Sequence, residues 1–221
     1  MPHYGIVRPQ QDYFNSNLTV NLYVQDDISR NENKVTLYNE RTMGKDKDAL
    51  CSLRLKYHME SMKRCQEEGR VQPHVYISIR DNCVGQNKSN VTLQFDLFMS
   101  MSFYERVMVI YLIPGHSHMI ADRVVAWVKR SINRVKIYTP DDLLKTINKT
   151  KSIDAEFISH EDSRRPCYTG WTNFLSKYFT NFPTGFTSNY VFEFNNGKVT
   201  MQHLISDEPD EAVTIILLHR D

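Results

Sequence analysis

No C-x-x-C pair occurs anywhere in this chain. Its four cysteines, at positions 51, 65, 83 and 167, stand singly, which argues against a zinc knuckle or a dense disulfide framework and reads as free thiols. A P-loop, a G-x-G-x-x-G dinucleotide fingerprint and a G-x-S-x-G nucleophile elbow are also missing, so the common nucleotide and acyl-transfer chemistries lack their signatures. Long apolar runs are lacking too. The longest, at 107–113 and 213–218, fall far short of a membrane span, and the first residues show no basic-then-apolar secretory pattern. The expectation is an intracellular protein with no membrane partner, in which the N-x-S/T sequons at Asn17, Asn87, Asn90 and Asn148 go unused. Excess charge is nearly absent, with 27 basic against 26 acidic residues, so any basic surface must be local rather than a property of the whole molecule. What is present, 221 residues with 41% hydrophobic and 11% aromatic content, suffices for one sizeable domain or a domain with an extension.

Residues 1–16 are polar and proline-containing and read as an incoming arm. Strands are predicted at 18–24 and 34–38, joined as an antiparallel hairpin through the turn-forming connector 25–33. Apolar positions Ala49, Leu50, Leu53, Tyr57 and Met62 approximate helical spacing over 46–68, with Gly69 as a stop. A strand to Arg80, a helix over 89–103, a strand at 107–113 and a helix over 119–133 then alternate, which predicts parallel pairing. Thr139 caps a short helix over 141–149, with Asp141 and Asp142 in its first turn. The last 60 residues change character. An aromatic stretch near 168–179 predicts a helix, Asn195-Asn-Gly197 predicts a hairpin between strands at 189–194 and 198–204, and 213–218 is a candidate third strand.

Asp81 and Asp122 are the acids that stand out. Asp81 closes the apolar run His74-Val-Tyr-Ile-Ser-Ile-Arg80 and is followed by a polar, glycine-containing loop, the place where open α/β sheets bind ligands. Asp122 opens the helix that follows the Pro114-Gly115 break. Each also has a plain structural alternative: Asp81 as a turn residue, Asp122 as a first-turn helix acid. Antiparallel strands, then a helix, then alternating strands and helices with an acid at one strand end and another early in the last helix, form the layout of a ribonuclease H-like nuclease. Such a site gathers carboxylates because hard cations, Mg2+ or Mn2+, take oxygen ligands while bridging a phosphate. Gln86, Asn87 and Lys88 are candidates to meet phosphate or base edges, with Asn87 or Ser89 as a helix cap the competing role. Arg123, Lys129, Arg130, Arg134 and Lys136 are the best local basic patch, against the alternative of a solvated helix face.

The blocks Asp81-Asn-Cys-Val-Gly-Gln-Asn-Lys-Ser-Asn90 and Tyr111-Leu-Ile-Pro-Gly-His-Ser-His-Met-Ile-Ala-Asp122 resemble the D-x-C-x-G-Q-N-K and G-H-(S/T)-x-(M/L)-x-x-D signatures of a domain of unknown function found in eukaryotic transposon-like reading frames. Those proteins resemble DDE-type transposases with a ribonuclease H-like core. The likeness runs from about Phe14 to the terminal hairpin, and only the two blocks are sharp. It implies that Asp81 is the second acid of a metal-binding triad and Asp122 the third, with His116 and His118 positioning phosphate or water or adding to the metal ligands. A first acid, on a strand upstream of the arm, has no counterpart here; Asp26 and Asp27 are substitutes if 18–24 is itself the first strand.

The sequence thus predicts an α/β fold: a ribonuclease H-like mixed sheet flanked by helices, lacking its first strand, over residues 1–140, and a C-terminal helix plus small antiparallel extension over 141–221 packed on it. The expected function is a transposase- or integrase-like nuclease that uses Mg2+ or Mn2+ for phosphodiester hydrolysis or strand transfer on DNA, nuclear, and able to form a homo-oligomer. The alternative is a catalytically inactive, truncated or domesticated module that binds nucleic acid or protein. A third reading takes His116, His118 and Asp122 as ligands of one transition metal.

Overall fold

In the computed structural model, residues 2–5, 18–115, 119–161, 169–204 and 212–219 are described. The chain is mixed α/β, with two mixed sheets flanked by helices. It divides into two compact units that interleave along the sequence: residues 1–45 with 118–165, and residues 46–117 with 166–221. No described helix is long and apolar enough to cross a membrane.

The first unit holds the predicted hairpin. β1 (Val20–Asp27) and β2 (Glu32–Asn39) pair antiparallel, Val20 opposite Asn39 through Asp27 opposite Glu32. β5 (Asp154–Ile158) adds parallel to β2, giving the order β1-β2-β5. This strand was not expected, and it makes the hairpin part of a three-stranded sheet. α3 (Ile120–Ile132) presents Ile120, Val124, Trp127 and Val128, spaced one or two turns apart, to a core of Val35, Leu37, Ile137, Ile147 and Ala155. α4 (Pro140–Ile147) begins one residue before its predicted start: Thr139 Oγ1 accepts from Asp142 N (3.1 Å), and Asp142 Oδ2 accepts in return from Thr139 N (3.2 Å).

The second unit begins with α1 (Lys47–Glu67), whose Asp46 cap accepts from Ala49 N at 2.8 Å. β3 (Val75–Arg80) and β4 (Arg106–Tyr111) pair parallel, joined by α2 (Asn90–Ser102). The parallel pairing expected from the alternation is present. α5 (Trp171–Leu175) is shorter than the aromatic stretch suggested. β6 (Val191–Asn195) and β7 (Lys198–Gln202) form the predicted hairpin, with Asn196 and Gly197 at φ 46° and 78°, the left-handed pair that a two-residue turn requires. That hairpin does not sit on the sheet as a separate layer. β6 pairs antiparallel with β4, and β8 (Val213–Ile216) pairs with β7, giving one five-stranded sheet ordered β3-β4-β6-β7-β8. One side packs on a core of Leu93, Phe95, Leu97, Met99, Val107, Val109, Trp171, Phe192 and Phe194. On β3 the residues of the other side, Val75, Ile77 and Ile79, are exposed at an open edge.

Candidate functional site

The loop after β3 is built on a buried ion pair. Arg80, at the strand's last position, turns inward and meets Asp96 of α2 through two parallel bonds of 2.5 and 2.6 Å, while its Nε donates to Ser78 Oγ at 2.8 Å. Burial works against the guanidinium charge, but the Asp96 carboxylate more than offsets this and holds Arg80 well above the ordinary arginine range. With Arg80 anchored inside, the strand's alternation turns Asp81 outward. The Asp81 carboxylate is exposed and has no hydrogen bond or ion pair among the described residues.

Residues 82–88 then fold into a compact turn. Cys83 O accepts from the backbone of Gln86 (3.3 Å), Asn87 (3.0 Å) and Lys88 (3.1 Å), and Gly85 takes φ 90° to return a bond to Lys88 O at 3.2 Å. The Asn87 amide donates to Asp81 O at 3.4 Å, and Asn87 O accepts from the Tyr111 hydroxyl at 2.7 Å, so Asn87 ties the turn to the ends of both parallel strands. Gln86 is half-buried and accepts a weak Cys83 thiol contact at 3.9 Å. Of the two candidate caps, Ser89 is the one used: its Oγ accepts from Thr92 N at 3.3 Å.

Lys88 departs from its expected role. Its side chain is 1% exposed, and Nζ lies 4.6 Å from the Tyr190 ring centre, 4.8 Å from Tyr111 and 6.0 Å from Phe192, donating to Asn82 Oδ1 at 3.1 Å. Burial lowers its pKa to about 8. An ammonium enclosed by rings is not presented to a phosphate in solvent; Lys88 instead holds Asn82 and the turn in place. No local pattern in the sequence announces this, since the rings come from β4, β6 and the residue before β6.

Asp122 and the basic residues belong to the first unit. Asp122 is exposed, and its Oδ2 accepts from Met119 N at 3.0 Å, the bond of a first-turn acid closing a helix start. Arg123, Lys129, Arg130, Arg134 and Lys136 are all exposed, and none has an ion pair among the described residues. Asp26, continuing the core-facing side of β1 after Val20, Leu22 and Val24, is half-buried with Oδ1 enclosed and without a partner. Burial raises its pKa to about 6, and the nearby Arg123 charge pulls the other way. Asp81 falls in one unit and Asp122 in the other, and His116 and His118 lie outside the described residues. Among the described residues no group of three or more His, Cys, Asp or Glu side chains is positioned to hold a metal ion. They do not by themselves fit a Mg2+ or Mn2+ centre.

Sequence reasoning missed the Arg80–Asp96 pair. Its signal was an acid inside the apolar run Val91-Thr-Leu-Gln-Phe-Asp-Leu-Phe98, where a buried carboxylate demands a cation. No curated protein and no solved structure gives a match to this chain. A family model does, over residues 14–207, and on that match the chain belongs to the family described as Domain of unknown function (DUF7869).

Proposed function

We propose that the chain is a nucleic-acid-binding module of transposase-like, ribonuclease H-like descent, engaging the phosphodiester backbone through Arg123, Lys129 and Arg130 of α3. The observation that carries this reading is the set of five exposed basic residues from Arg123 to Lys136, none of them in a close ion pair among the described residues although Arg123 feels the charge of Asp26, in a chain whose total formal charge is +1. Unpaired cations on one helix and its exit attract a polyanion without the cost of breaking internal ion pairs. Fluorescence anisotropy with labelled DNA at several salt concentrations tests this. The expected result is an affinity that falls with salt, and a log–log slope shallower by about one for each of Arg123→Ser, Lys129→Ser and Arg130→Ser. Salt-insensitive binding, or none, would overturn it.

A second reading, metal-dependent phosphodiester hydrolysis or strand transfer with Mg2+ or Mn2+, is favoured by one observation. The Asp81 carboxylate directly follows the edge strand β3, is exposed, and has no hydrogen bond or ion pair among the described residues. This reading needs donors beyond the described residues. Calorimetric titration with Mn2+ of the parent chain and of folded Asp81→Asn and Asp122→Asn variants distinguishes the two: heat lost in both variants supports a shared carboxylate site, and no heat with the parent leaves the binding module alone.

A further inference from the structure

We infer that Tyr138, braced by Tyr4 and flanked by Arg134 and Lys136, is a stacking platform for an unpaired base, so that the preferred ligand of the first unit is single-stranded nucleic acid. The inference rests on the nucleic-acid reading above and adds to it the strandedness of the ligand and the residue that selects it.

The local backbone explains the presentation. After α3 the chain turns at Asn133 and Arg134 and runs on to Ile137, 0% exposed, which anchors it in the core. Backbone bonds of 2.7 Å in both directions between His3 and Ile137, with His3 Nε2 against Ile132 O at 3.2 Å, fasten the N-terminal residues alongside. Because neighbours in an extended segment point to opposite sides, the inward Ile137 places Lys136 and Tyr138 outward. The Tyr138 ring is 58% exposed, and Tyr4 meets it edge-on with centroids 6.1 Å apart and planes at 79°. A single exposed tyrosine is ordinary. This one is held in orientation by a second ring and lies next to cations, the combination by which single strands are bound: phosphate attraction along the backbone and a π-face for the base.

Arg134 supplies an independent sign. It adopts φ 66°, the left-handed conformation that commonly ends a helix and that glycine fills without steric cost. A Cβ on Gly5, itself at φ 70°, would approach Arg134 C to 3.0 Å, so Gly5 is packed directly on this turn. An arginine is therefore carried where the backbone favours glycine, and its exposed side chain has no ion pair among the described residues. A ligand phosphate gives that side chain a role.

Anisotropy with fluorescein-labelled single strands of mixed sequence, as DNA and as RNA, and with a duplex of equal length, tests the inference. The parent is expected to prefer the single strands. Tyr138→Ala should weaken single-strand binding about tenfold and leave duplex binding unchanged, while Tyr138→Phe, which keeps the π-face, should bind as the parent does. Arg134→Gly should weaken binding to both forms while the melting temperature stays level or rises. Equal single-strand affinity for the parent and Tyr138→Ala, or a parent that prefers duplex, would overturn the platform and leave the nucleic-acid reading standing. A parent that binds neither form would overturn both.

Discussion

At the scale of the residue, Lys88 and Asp26, one in each unit, sit where burial disfavours their charge, and they tilt stability in opposite senses. Lys88 has its pKa lowered to about 8 by burial, from an ordinary 10.5. Below pH 8 both folded and unfolded chains carry its proton and the cost of enclosing the ammonium is fully present; between 8 and 10.5 the unfolded chain holds more proton, so stability rises with pH. Asp26, raised by burial to about 6 from 3.8, contributes stability below pH 4 that is lost as pH rises through 6. Denaturant titrations across pH should therefore show Lys88→Met more stable than the parent at pH 7 and without the rise between 8 and 10.5. Asp26→Asn should gain stability at pH 7 and lose the decline between 4 and 6. A Lys88→Met variant less stable at pH 7 would mean that the attraction of Tyr111, Tyr190 and Phe192 for the ammonium outweighs its desolvation.

At the scale of the element, legibility followed the distance over which each interaction acts. Thr139 and Asp142, three residues apart, showed where α4 begins, and Asn195-Asn-Gly197 located the β6–β7 turn. By contrast, β5 is five residues long, and its Lys34–Asp154 and Thr36–Glu156 pairings lie about 120 positions apart in sequence, so nothing local announced the strand. The candidate site divides in the same way. Asp81 and the Ser89 cap were readable from a strand end and a turn, whereas the rings around Lys88 arrive from β4, β6 and Tyr190. The Arg80–Asp96 pair joins β3 to α2 with side chains 4% and 1% exposed. Removing one partner leaves the other charge enclosed without compensation, so Asp96→Ala should cost about 3–5 kcal/mol in urea unfolding. Arg80→Met with Asp96→Leu together should cost much less. A single variant within about 1 kcal/mol of the parent would show that water already reaches the pair.

At the scale of the whole molecule, the order of the chain and its division into units diverge. The segment 46–117, which belongs to the second unit, is inserted between the two halves of the first, so β2 must find β5 across an intervening unit. Closing such a loop costs entropy that grows only slowly with its length, and the cost falls if the insert is already compact. Each unit also has a core of its own and a tryptophan of its own. Trp127 packs against the Val35, Leu37 and Ile137 core, and Trp171, 4% exposed, against Phe95 and Phe98. The single-tryptophan variants Trp127→Phe and Trp171→Phe therefore report the two cores separately. Ile137→Ala, which deletes a fully enclosed side chain, should lower the stability seen by Trp127 by about 2–5 kcal/mol, and Phe192→Ala that seen by Trp171 by about 3–5 kcal/mol. With two cores and no strand ladder joining the two sheets among the described residues, the two reporters are expected to give different midpoints. If each substitution instead moves both reporters together, the two cores melt as one cooperative structure, and the units are divisions of contact rather than of stability.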